Sequence, residues 1–235
     1  MLKKYKKKHA IIFGASSLIA QNIAKELHSK GFCLSLIGRD MAKINSFIAK
    51  LKANDVSTLT TFFSSLDTLE KINKSIIWAQ KNHKNPDLIF ICPGVIFADD
   101  ANLEIDNFIE SINVNATLPL MVHKFFLKHE NIKIATLGSL FSIAPKKGKL
   151  FYSYTKKLYS VFFENHPGIY RKSYLFNLGP VYTPMYKGPI RPYVSKPDII
   201  ARNVVEIVLS RKPGVYYLPK LWFYFLPLIF LLNLL

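Results

Sequence analysis

Tyr152 and Lys156 stand four residues apart in the run LFYSYTKK, with Ser139 a short way upstream. On a helix beginning near Leu150 that spacing puts the phenol and the ammonium on one face. Ser139, at the end of the preceding strand, folds back towards them. A tyrosine titrates near pH 10 and exchanges protons reluctantly at neutrality, and a neighbouring cation favours its phenolate. Two unit charges about 4 Å apart at an effective dielectric near 20 interact by roughly 4 kcal/mol, worth up to about three pK units. Lys156 could thus bring Tyr152 into the range where it protonates a nascent alkoxide, while Ser139 holds the oxygen and a nearby nicotinamide delivers hydride. The bland alternatives are an ordinary amphipathic Tyr/Lys pair and a capping serine, and Ser142 competes for the role of Ser139.

The elements that must position these groups are legible in order. The apolar run 9–13 is followed by Gly14-Ala15-Ser16-Ser17 and a helical pattern carrying Leu18, Ile19, Ile23, Ala24 and Leu27. Strand, small-residue turn and helix open a nucleotide-binding βαβ unit. Further strands are expected at 32–37, 58–63, 88–92, 133–137 and 173–177, and helices at 41–52, 66–83, 108–128, from 150 onward and at 197–210. Pro119 is expected to bend the 108–128 helix. The alternation predicts an α/β fold, a Rossmann-type doubly wound parallel sheet with helices on both faces. The 235 residues suit one such domain, expected at 9–218 between a basic segment 1–8 and an apolar segment 219–235.

A phosphate approaches backbone only where side chains are small, and a helix N-terminus supplies free N–H groups. Gly14, Ser16, Ser17 and Ile19 are the candidates for that contact, although Leu18 and Ala20 stand where further glycines would help. Arg39 closes the second strand, beside the place of an adenosine ribose. A guanidinium there suits a 2′-phosphate, pointing to NADP, with NADPH preferred over NADH. Asp40 can pair with Arg39 or cap the next helix.

Taken together, these features resemble the short-chain dehydrogenase/reductases over residues 8–218. The shared motifs are the Gly14 to Ser17 turn, Pro93-Gly94, Asn115 in Ile112-Asn113-Val114-Asn115, Ser139, Tyr152 to Lys156, and Asn177 to Pro184. The resemblance implies Tyr152 as acid/base, Lys156 on the nicotinamide ribose and lowering the Tyr152 pKa, and Ser139 on the substrate carbonyl. It also implies Asn115 holding a water behind Lys156, Gly94 at the cofactor, and Thr183 on the carboxamide. The chain departs from the family pattern at Leu18 and Ala20, at Ile91-Cys92 before Pro93, and at Ser64 or Ser65 in place of an acidic residue.

Composition narrows the setting. The net charge is +17 and half of the residues are apolar, with a mean hydropathy of +0.16. Such a surface is drawn to anions, and with no nucleic-acid-reading motif an anionic membrane surface ranks above nucleic acid. Cys33 and Cys92 read as buried free thiols, and His123, His129 and His166 as surface residues without metal-ligand spacing, so no metal is expected. No signal peptide is read at the N-terminus, and the setting is cytoplasmic. The loop after Thr183 is shorter than the family's usual lid, and its Lys187, Arg191 and Lys196 either meet an anionic substrate group or are simply solvated. The apolar end is shorter than the roughly 20 residues of a bilayer span and contains Pro227 and Asn233. It suits the membrane interface at the inner face, or a homo-oligomer contact.

A short lid with a basic, apolar end is similar to the polyprenylphosphoryl keto-sugar reductases of the decaprenylphosphoryl-keto-ribose reductase type. The expectation is an NADP-dependent reductase of a lipid- or sugar-linked ketone. The rival readings are a non-catalytic dinucleotide-binding protein and a peripheral membrane adaptor on the same fold.

Overall fold

The computed structural model describes residues 7–51, 58–83, 85–97, 104–129, 131–189, 191–220 and 224. Its centre is a seven-stranded sheet of β1 (His9–Phe13), β2 (Cys33–Gly38), β3 (Leu59–Phe63), β4 (Leu88–Ile91), β5 (Lys133–Ser139), β6 (Ser173–Leu178) and β7 (Gly214–Leu218). The spatial order is β3-β2-β1-β4-β5-β6-β7, and neighbouring strands are parallel throughout. The central strands are buried on both faces, which explains their nearly unbroken apolar sequences.

Alternate residues feed two cores. Ile12, Leu36 and Phe90 pack with α1 (Leu18–Ser29), α2 (Met41–Lys50) and α8 (Pro197–Ser210), while Ile11, Phe13 and Ile89 pack with α3 (Leu69–Asn82) and α5 (Leu118–Phe126). Each fully buried side chain of this size contributes about 1.5–3 kcal/mol. Side-chain caps start the helices that flank the site: Ser17 accepts from Ala20 N at 3.2 Å, Asp40 from Lys43 N at 3.0 Å, and Thr68 from Lys71 N at 3.3 Å. Strand order reverses between β1 and β4, so the helices leave to opposite faces and a crevice opens at the strands' carboxyl ends.

Several boundaries differ from the sequence reading. Helix α3 begins at Leu69 because Leu66 has φ 61, outside the right-handed helical region. The expected 108–128 helix is α4 (Ile105–Ile112), a π-helical turn (Asn113–Thr117) and α5. Pro119 lies in the first turn of α5, where its missing N–H is harmless, so the irregularity is the π turn before it and not a proline bend. Strand β7, a 3₁₀ turn (Leu140–Ser142) and the short α7 (Pro167–Tyr170) were not anticipated. Helix α6 (Leu150–Asn165) starts where expected. It meets α4 through the edge-on Phe108–Phe151 contact, with centroids 5.0 Å apart, and Tyr154, Leu158 and Ile109 beside that contact are exposed.

Of the apolar segment 219–235, only Pro219, Lys220 and Tyr224 are among the described residues, and the expectations for the remainder lie outside them. Among the described residues, no helix is long and apolar enough to cross a membrane.

His123 corrects the surface assignment, being fully buried. Its Nδ1–H donates to Pro119 O at 2.7 Å, which leaves Nε2 to accept from Tyr159 Oη at 3.4 Å; Tyr159 Oη also bonds Thr136 Oγ1 at 3.0 Å. Pro119 is one turn back on the same helix, but Tyr159 and Thr136 come from α6 and β5, so local sequence cannot reveal the burial. His166 is exposed as read, and His129 is half-buried.

Burial pulls the His123 imidazole from its ordinary 6.5 to about 4. Above pH 6.5 both folded and unfolded forms are neutral; below it only the unfolded chain gains the proton, so stability falls with pH down to about 4. The expected slope from this side chain is up to about 1.4 kcal/mol per pH unit. Burial also pulls His9 down, to about 3, so urea unfolding at several pH values should show a slope shallower by His123's share in His123→Gln than in the native protein; equal slopes would refute the assignment.

Candidate active site

The crevice at the carboxyl ends of the strands is one long cavity of about 1140 Å³. Its wall includes Gly14, Ser16, Ser17, Ile19, Arg39, Gly94, Tyr152, Lys156 and Thr183. Ser139 and Asn115 stand behind the wall and hold residues that form it.

At one end, Gly14 has φ +77, and a Cβ there would lie 2.7 Å from Pro93 N. Glycine is required both by the turn and by the close approach of the β4 loop. Within the turn, Ala15 N donates to Ile37 O, Ser17 N to Gly14 O and Ala20 N to Ser17 Oγ. The N–H groups of Ser16, Leu18 and Ile19 remain as donors for an anion among the described residues. Leu18, in place of a glycine, is partly exposed on the same wall.

Arg39 leans across the cavity mouth to Glu110 on α4, with Nη1 3.2 Å from Oε1. Asp40 does not pair with Arg39; it caps α2 and meets Lys43 Nζ at 2.9 Å. Lys43, Ser46 and Lys50 on α2 line the same end. Sequence reading singled out none of these three, although their i, i+3, i+7 spacing places them on one helix face.

In the middle, Lys156 is 6% exposed and its Nζ donates to Pro93 O at 3.3 Å and Leu137 O at 3.2 Å. Burial pulls its pKa to about 8, opposed by the nearby Cys92. The same burial pushes the Cys92 thiol up and keeps it protonated. Asn115, in the π turn, accepts from Val95 N at 3.1 Å and donates to Val95 O at 3.0 Å and Thr155 Oγ1 at 3.1 Å. Its amide hydrogens are thus committed to protein acceptors. Gly94 separates it from Lys156, since a Cβ there would stand 3.4 Å from Nζ and 3.5 Å from Asn115 Oδ1.

Tyr152 is half-buried, and desolvation raises its pKa while a hydrogen bond with Ser139 opposes the rise. The expected lowering by Lys156 is not what this geometry gives: the ammonium is aimed at two carbonyls, and the phenol is held protonated. Ser139 Oγ also accepts from Phe141 N at 3.2 Å, and Ser142 donates to Ser139 O at 2.7 Å. Ser142 therefore braces Ser139 and does not replace it beside the phenol. Ile96, Phe97, Lys149, Leu178, Met185 and Lys187 also line the cavity.

This arrangement can place an anionic dinucleotide against the turn and a polar group against a protonated phenol. The short chain dehydrogenase family pattern matches residues 8–185, and the chain belongs to that family. An uncharacterized oxidoreductase of Staphylococcus epidermidis is 28% identical over 162 residues, covering 66% of this chain and 68% of that protein. The fold matches an alcohol dehydrogenase from the archaeon Thermococcus sibiricus complexed with 5-hydroxy-NADP, with TM-score 0.77 and 20% identity over 91% of this chain and 96% of that one. A short chain dehydrogenase from Burkholderia cenocepacia in complex with NADP gives TM-score 0.77 at 16% identity, over 91% and 96% of the two chains.

Proposed function

We propose that the protein is an NADPH-dependent reductase that converts a ketone to an alcohol. The observation that carries this reading is the protonated Tyr152 phenol, hydrogen-bonded to Ser139, on the wall of the cavity that also contains the Gly14 turn and Lys156.

The residues fit a nicotinamide dinucleotide. The free N–H groups of Ser16, Leu18 and Ile19 suit its pyrophosphate, and Arg39 with Lys43 suits a 2′-phosphate. Gly94 leaves the Lys156 ammonium open to a ribose, and Thr183 faces the carboxamide position. When bound, the reduced cofactor supplies the hydride. Ser139, behind the wall, orients the phenol through its hydrogen bond, and Tyr152 gives its Oη proton to the carbonyl oxygen as negative charge develops there. A raised phenol pKa keeps the proton on Tyr152 at neutral pH, as the reducing direction requires. Lys156 keeps the ribose and phenol in register, and Asn115 fixes Val95 and hence the Pro93 carbonyl that holds Lys156.

Several finer features belong to the same proposal. The +17 charge and the apolar composition of 219–235 support a peripheral position at the inner face of an anionic membrane, with a lipid- or sugar-linked ketone of the kind taken by polyprenylphosphoryl keto-sugar reductases. The exposed Tyr154, Leu158 and Ile109 support a homo-oligomer.

Tyr152→Phe should lose at least a hundredfold in kcat with a responsive ketone while binding NADPH normally in a fluorescence titration. Undiminished turnover would refute the acid role, and failure of the native protein to bind millimolar NADPH would favour a non-catalytic member of the fold. Glu110 competes with a 2′-phosphate for Arg39, and exposed pairs of this kind are worth up to about 1 kcal/mol. Glu110→Gln is therefore expected to tighten NADPH about two- to fivefold and to leave NADH unchanged; equal effects on both would refute the placement of the phosphate.

A further inference from the structure

We propose that the ketone carries an anionic group, a carboxylate or a phosphate, which is held by Lys149 and Lys187, both on the wall of the cavity that contains Tyr152. This rests on the reading of the cavity as a hydride-transfer site and specifies the class of substrate that enters it.

The cavity is electrostatically lopsided. Among the described residues its lining carboxylates are Asp40 and Glu110, both engaged by cations, Lys43 and Arg39. Lys149 and Lys187 line the same cavity as Tyr152. Neither lysine has a carboxylate within 4.0 Å among the described residues, whereas Lys43, Lys71 and Lys74 do. An anion in the cavity can take charge-assisted hydrogen bonds from these ammonium groups.

The backbones under both side chains are fixed. Lys149 precedes α6, with its N–H on Lys146 O at 3.0 Å and its carbonyl accepting from Ser153 N at 3.0 Å and Ser153 Oγ at 2.8 Å. Tyr152 follows in the first turn of the same helix, so the ammonium and the phenol are set by one rigid element. Lys187 follows the turn closed by Tyr186 N on Thr183 O at 2.9 Å, which ties it to another residue of the same wall. Desolvation, with Lys146 adding to it, lowers the Lys149 pKa, the behaviour of a cation awaiting a counter-charge. The loop's other cations are placed elsewhere: Lys196 lines a separate groove with Tyr193 and Pro219, and Arg191 lines neither.

The test uses the full chain saturated with NADPH and three proteins: native, Lys149→Gln/Lys187→Gln, and Lys124→Gln/Lys128→Gln. The last removes the same charge on and just after α5, outside the cavity. Calorimetric titration with inorganic pyrophosphate and with levulinate measures anion binding, and turnover of levulinate against methyl levulinate measures its use. The site double variant should bind the preferred anion at least tenfold more weakly, with the control within twofold of native. Where levulinate is reduced, its advantage over the ester should shrink by a similar factor. A larger loss for pyrophosphate assigns a phosphate-bearing ketone, and a larger loss for levulinate a carboxylate.

Equal affinities in native and site variant, an equal loss in the control, or no anion binding by the native protein would overturn the proposal. NADPH affinity is measured separately in each protein. If the native chain binds none, the oxidoreductase reading fails, and the anion comparison on the unliganded chain still decides between these outcomes.

Discussion

The buried ammonium of Lys156 is the constraint on which the site depends. A charge removed from water must be repaid by fixed dipoles, and here these are the carbonyls of Pro93 at 3.3 Å and Leu137 at 3.2 Å. One carbonyl lies two residues beyond β4 and the other near the end of β5, so the parallel register that pairs Ile91 with Thr136 also builds the lysine's socket. Asn115 clamps Val95 from the π turn, and Gly94 leaves space for the side chain. Removing any of these would loosen the ammonium and the helix that carries Tyr152 with it.

That socket explains why two chemically different ends share one cavity. The close approach of Gly14 to Pro93 brings the β1 turn against the loop that also supports Lys156. Anion-binding donors and the phenol are thereby fixed relative to each other through backbone contacts and without long side chains. Flexibility is left to the periphery, where Arg39 reaches Glu110 with 59% of its side chain exposed. Such a pair is easily exchanged for a stronger ligand.

Much of this was legible locally. The strand-turn-helix opening at Gly14, the Tyr152 and Lys156 spacing and helix α8 follow from periodicity and small-residue punctuation over a few residues. What escaped depends on contacts distant in sequence. His123 looks like a surface polar residue until Tyr159 and Thr136 close over it. Arg39 shows a free guanidinium in the sequence, yet its partner lies 71 residues away. Leu66 gives no hint of a positive φ, and the pKa of Tyr152 is governed by burial, which no spacing of charges can convey.

The most direct test is NADPH affinity as a function of pH. Lys156 loses its proton above about 8, so a cofactor gripped by its ammonium should bind with constant affinity from about pH 7, where the 2′-phosphate is already ionised, to about 8 and then weaken by up to tenfold per pH unit. In Lys156→Arg the fall should disappear from this range. A flat profile in the native protein, or no binding at millimolar NADPH, would contradict the account.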